Sequence, residues 1–172
     1  MRRPEPTDRE RFLKESDYIV SKTDLKGHIT YCNKVFIEIC GYSETELLGT
    51  PHSILRHPDM PKIVFKLLWE RIRNKKDIFA FVKNLCKDGS FYWVFANVTA
   101  TVDFDGTIRD YHSVRRKPRP EAVKAIEPIY AKLLEEERKG GMEASGAYLQ
   151  NLLESNGTDY DEFIFSLQNA KA

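Results

Sequence analysis

Cysteine is scarce in this chain, at three in 172 residues. Cys32, Cys40 and Cys86 form an odd set with no Cys-x-x-Cys spacing. That argues against a disulfide framework and a zinc finger, and reads as reduced thiols. Charge of one sign is not in excess either: 27 Lys and Arg stand against 26 Asp and Glu. The basic footprint of a nucleic-acid binder is therefore missing. No apolar run approaches the ~20 residues that a membrane span needs. Met1 to Pro6 has no apolar stretch, so no secretory signal is expected there. A cytoplasmic location is the expectation. Gly-x-Ser-x-Gly, a phosphate-cradling glycine loop and a His/carboxylate cluster at helical spacing are also missing, so no enzymatic activity is expected.

What is present is a chain of about one domain plus a tail, taking ~150 residues per domain. Residues 1–15 read as a charged arm or short helix, with Phe12 and Leu13 free to dock. Residues 16–118 read as one compact unit. Asp17 to Thr23 is rich in strand formers, Asp24 to Gly27 has turn chemistry, and His28 to Cys32 alternates, which together predict a hairpin. Asn33 to Tyr42 reads as a short helix stopped by Gly41. Ser43 to Glu46 is a capping box. A Pro- and His-rich connector over 51–61 leads to a helix from Lys62 to Arg73 with a broad apolar face. Three strands follow, Ile78 to Leu85, Phe91 to Val102 and Ile108 to Arg116, with Lys87-Asp88-Gly89 and Asp105-Gly106 as turns.

Residues 119–172 read as a helical extension. A first helix, Glu121 to Lys139, carries Pro128, which predicts a kink or restart. Gly140-Gly141 breaks it. Met142 to Ser155 is a second helix, and Thr158 is expected to cap a third. This end of the chain is acidic, with six Asp and Glu against three Lys and Arg over 137–172. Two hairpins separated by helices cannot make an all-parallel fold. The expected class is α+β: a five-stranded antiparallel sheet with short helices on one face, plus C-terminal helices. Its concave face can hold a ligand.

That order of elements, with these residues in it, resembles a PAS domain. Ser21 to Gly27, Ile29 to Asn33 and Gly41 to Gly49 are similar to the sensory domain of bacterial aerotaxis receptors, and Pro51-His52, Phe65, Trp69, Val82 to Asn84, Lys87 to Gly89 and Tyr92 to Val94 extend the likeness. The run Arg56-His57-Pro58-Asp59-Met60-Pro61 is its most specific part. The resemblance covers about residues 7–118, and Ile126 to Tyr130 resembles the helix after that domain. It implies non-covalent FAD and a report of its redox state, with Arg56, His57 and Asp59 supporting the flavin. Asn33, His52, Asn84 and Trp69 are the accompanying pocket candidates.

One departure is visible. The family usually places Trp at the start of the first strand after the long helix; Ile78 stands there, and strand alternation turns Phe79 to the other face. That favours a cofactor-free interaction module. Other PAS domains take an axial iron ligand from this helical region, so heme b on His57 or His52 is a further alternative. From residue type alone, Asp59 reads as a cap for the helix near Lys62, and Trp69 and Trp93 as core. The parity of Asn84 and Asn97 is open, since both strand faces carry apolar residues. Residues 121–172 do not read as a kinase, cyclase or chemoreceptor output; if this is the whole protein, a signal is expected to leave by contact with a chemoreceptor or other signalling protein in trans. The tail helices could dock on it, dimerise, or cover the sheet.

Overall fold

The computed structural model describes residues 3–170; the outermost residues of the arm and of the helical extension lie outside that range. The sheet comprises β1 (Tyr18–Thr23), β2 (Ile29–Cys32), β3 (Ile78–Leu85), β4 (Phe91–Val102) and β5 (Ile108–Arg116), in the order β2-β1-β5-β4-β3. All four pairings are antiparallel. Between β2 and β3 lie α1 (Lys34–Cys40), α2 (Glu44–Leu47), a 3-10 turn (His52–Leu55) and α3 (Lys62–Arg73). The expected α+β architecture is what forms.

Local chemistry explains the element ends. The Asn33 side chain caps α1 by accepting from Phe36 N, and Gly41 ends the helix in the left-handed region. The Ser43–Glu46 capping box is present on α2. No side chain at its own start caps α3. Its Ile63 N–H donates instead to Glu137 at 2.9 Å, from the C-terminal helix. Asp59 is therefore not the α3 cap; its carboxylate pairs with Lys83 at 2.7 Å.

The arm is extended rather than helical. Glu10 bridges in parallel to Phe91. Arg11 donates to Asp88 at 2.8 Å and to Ser90 at 2.8 Å, so the arm is stapled to the β3–β4 turn. Leu13 is buried, whereas Phe12 stays exposed.

Helix α4 (Pro120–Ser155) passes Pro128 without leaving helical geometry, against the expected kink. Pro128 and Lys124 are both on the exposed side, where water can serve the carbonyl left free. The break comes at Gly140 and Gly141, as expected; Gly141 has φ 67 and ψ −161, a conformation essentially confined to glycine. Ala122, Ile126, Tyr130 and Leu133 form the buried stripe of the first half. In α5 (Tyr160–Asn169) the cap is Asp159, accepting from Glu162 N, and not Thr158. Arg71 of α3 holds Asp161 of α5 at 2.8 Å. Both helices cover the outer face over β3 and β4: Tyr130 lies 6.2 Å from Trp93, and Phe165 lies 4.8 Å from Phe79.

Candidate functional site

Register settles which residues face inward. Val82 pairs with Val94, Asn84 with Tyr92 and Ala96 with Arg115, and these share a face with Ser21 and Ser113. Asn97, Trp93 and Phe79 point to the other face. Between the inward face and α3 lies a cavity of about 370 Å³. Phe65, Leu68, Trp69 and Ile72 of α3 form one wall; Val82, Asn84, Ala96, Val98 and Arg115 form the other. Exposed Lys26 and Ser53 lie at its rim.

The lining contains Lys26, Arg56 and Arg115 and, among the described residues, no carboxylate. Arg115 is the most unusual of these. It is 2% exposed. Its Nη1 lies 3.1 Å from His52 Nε2, its Nη2 donates to Ser21 Oγ, and its guanidinium lies over the Phe36 ring at 4.6 Å. Burial pushes Arg115 down to about 10, which leaves it charged at neutral pH. Buried charge normally demands an ionic partner.

His52 is stacked on Phe36 at 5.9 Å. Burial, then the Arg115 charge, push it down to about 3. The neutral ring accepts from Arg115 through Nε2, which assigns the proton to Nδ1. Arg56 lies over Phe65 at 3.8 Å, and burial, then Arg3, lower it. Trp69 meets Tyr111 edge-on at 5.5 Å.

Of the residues expected at the site, His52, Arg56, Trp69 and Asn84 come together around the cavity. Asn33, His57 and Asp59 are not in its lining. Asn33 is consumed by structure: besides capping α1, it donates to Tyr18 O and accepts from Val20 N. His57 is buried edge-on to Phe91, and its Nδ1 accepts from Asp59 N at 3.1 Å. Burial, then Lys83, push His57 down to about 4, despite the Asp59 charge acting upward. Asp59 is lowered, since its hydrogen bond and attraction to Lys83 outweigh burial. Lys83 N donates to Met60 Sδ at 3.2 Å, and Arg56 bridges to Asn84. The connector is thus stitched to β3 directly behind the cavity wall.

Four buried polar atoms on this side find no partner among the described residues: Arg56 Nε, Asn84 Nδ2, Tyr92 Oη and Arg115 Nε. Three belong to side chains of the lining. Such atoms cost free energy unless something supplies acceptors. A planar heterocycle rich in carbonyl and imine acceptors, flanked by apolar walls, matches this donor set, so the residues fit a flavin ring. Iron fits less well: His57 is outside the cavity and His52 Nε2 is engaged by Arg115. None of the three cysteines lines the cavity, and burial raises Cys40 to about 11, so no thiolate is placed to attack a bound ring.

Sequence reasoning missed Arg115, Ser21 and Tyr111 as lining residues. Their shared inward parity across β1 and β5 was the available signal, but it needs a known inner face.

The chain is 39% identical over 121 residues to the aerotaxis receptor of Escherichia coli (strain K12), a match covering 70% of this chain and 24% of the receptor. The chain therefore spans about a quarter of that relative's length. It is 31% identical over 93 residues to the bacterioopsin transcriptional activator of Halobacterium salinarum, covering 54% of this chain and 14% of the activator. Among solved structures, the dark structure of the blue-light photoreceptor Aureochrome1 LOV superposes with a TM-score of 0.55 at 26% identity, covering 75% of this chain and 98% of that one. Residues 29–115 match the family described as PAS fold, and this chain belongs to that family.

Proposed function

We propose that this chain is a PAS sensor that holds FAD non-covalently, reads redox or oxygen state in the cytoplasm, and signals by contact with a separate protein. One observation carries the reading: unpartnered buried donors of Arg56, Asn84 and Arg115 meet at one cavity that lacks any described carboxylate. The kinship with an aerotaxis receptor supports it. A chemoreceptor or other signalling protein is the partner class that kinship suggests.

A bound flavin supplies reversible uptake of electrons and protons, which changes the hydrogen bonds its ring can offer. The protein's part is distinct. Phe65, Leu68 and Trp69 exclude water. Arg56, Asn84 and Arg115 hold the ring by charge-assisted and amide hydrogen bonds. A shift at Asn84 is felt at once by Arg56, its bridge partner, and by Lys83, its chain neighbour. Lys83 holds Asp59 and Met60 of the connector. On the outer side of the same strand lies α4, whose Tyr130 hydroxyl donates to Phe81 O at 2.7 Å. A cavity event thus has a short physical route to the helices a partner would meet.

The test is the absorption spectrum of the purified protein, with the released cofactor identified after denaturation. Flavin bands that bleach with dithionite support the reading. Arg56→Ala loses most of the FAD on purification, and His57→Ala loses less, because it acts through the connector. Full retention in Arg56→Ala counts against the pocket assignment. A Soret band moves the site to His52. A colourless protein that also fails to take up added FAD or heme leaves an interaction module.

A further inference from the structure

We infer that Arg115 serves as the fixed counter-ion for negative charge on the buried part of the ligand and that, resting on the flavin reading, it keeps the reduced ring anionic. The argument starts from what surrounds the guanidinium. Its contacts are Ser21 Oγ, His52 Nε2 and the Phe36 ring, all neutral. The titratable groups facing it are His52, Tyr92 and Cys40. Burial drives each of them further toward its neutral form. Arg56 and Lys26, the other charged residues of the lining, have the same sign. Arg115 Nε is left without a partner. Nothing described in the chain neutralises this cation, so the compensating charge belongs to what fills the cavity.

The shape of the cavity says which part of the ligand that is. Arg115, 2% exposed and paired with Ala96 across the sheet, marks its buried side, and exposed Lys26 marks its rim. About 370 Å³ takes a tricyclic ring and not a whole dinucleotide. The ring goes in, and the phosphates stay toward the rim. Two-electron reduction by dithionite would then take up one proton, on N5, instead of two, leaving N1 unprotonated. The positive charge of Arg115 stands in for the second proton, which remains in solvent.

The full chain, reconstituted with FAD, provides the test. Its midpoint potential is followed against pH in mildly acid buffer, with free FAD in the same buffer as reference. One proton per two electrons gives half the slope that two protons give. The expected result is half the slope of free FAD for the native protein and for Arg115→Lys, and the full slope for Arg115→Gln. Arg115→Gln should also weaken binding of reduced FAD roughly tenfold more than oxidised FAD, the worth of one charge-assisted hydrogen bond. Glutamine keeps a donor toward Ser21 and His52, so the variant removes charge with little loss of packing. The ¹⁵N shift of flavin N1 in the reduced native protein reads the same charge without any variant. A native slope equal to that of free FAD, or a protonated N1, overturns the inference and leaves the flavin reading intact. A half slope that survives in Arg115→Gln places the charge elsewhere and also overturns it. A native protein that binds no FAD overturns the flavin reading itself, and this inference with it.

Discussion

Gly27 illustrates how single residues shape the cavity. It sits in the β1–β2 turn at φ +86, and a Cβ there would lie 3.1 Å from Trp69 Cζ2. The left-handed backbone alone costs a non-glycine residue ~1–2 kcal/mol. Gly27→Ala should therefore lower stability by about that amount and push the indole inward. A thermal melt together with FAD titration checks it; unchanged FAD affinity would separate Trp69 from the site. This glycine was legible, because Asp24 to Gly27 carries turn chemistry. The family resemblance named His52, Arg56, Trp69 and Asn84, and all four line the cavity. Asn33 was misjudged, although an Asn directly before a helix is its natural cap. Arg115 was not legible as a lining residue. An arginine in an alternating strand reads as solvent-facing until the sheet's inner face is known.

At the scale of elements, β3 needs explanation, since it is both a cavity wall and an edge strand. An edge with free carbonyls is a liability for aggregation. Here the edge is closed residue by residue. Tyr160 donates to Phe79 O at 2.8 Å, Tyr130 donates to Phe81 O at 2.7 Å, and Lys83 N meets Met60 Sδ. Tyr130→Phe keeps the ring against Trp93 and removes only the donor. It leaves a buried carbonyl bare and should cost about 1–3 kcal/mol. A denaturant melt measures this, with Tyr148→Phe, outside any such bond, as control. Equal midpoints would mean that water serves the Phe81 carbonyl. Element boundaries were largely readable because turn residues and periodicity agree along residues 17–116. The exceptions have physical reasons. Pro128 lies on the wet side of α4, where the lost hydrogen bond is cheap. Thr158 and Asp159 are both competent caps, and only backbone geometry selects Asp159. The Glu137 cap on α3 spans 74 residues and has no local signature.

Across the whole molecule, the buried His57 and the half-buried His52 set the response to acid. His52 sits in the cavity and His57 in the connector, and burial lowers them from 6.5 to about 3 and about 4. A histidine lowered on folding is neutral in the folded chain and protonated in the unfolded one below pH 6.5. The unfolded state then binds more protons, so stability falls as pH falls. The contribution is complete above pH 6.5 and is lost progressively toward pH 4 for His57 and pH 3 for His52. Each histidine adds a slope of at most ~1.4 kcal/mol per pH unit in that window. Asp59 is held below the usual carboxylate range by Lys83, and Asp88 by Ser90 and Arg11; they act in the same direction, but only at lower pH. Stability should therefore begin to fall near pH 6.5, well before carboxylates titrate. Denaturant melts across this range should show the decline, and His52→Gln combined with His57→Gln should flatten it down to the carboxylate region. A native curve that is already flat there would mean that the unfolded chain holds its histidines neutral or that the folded chain admits their protons. Cavity and connector would then be more open to water than two neutral imidazoles require.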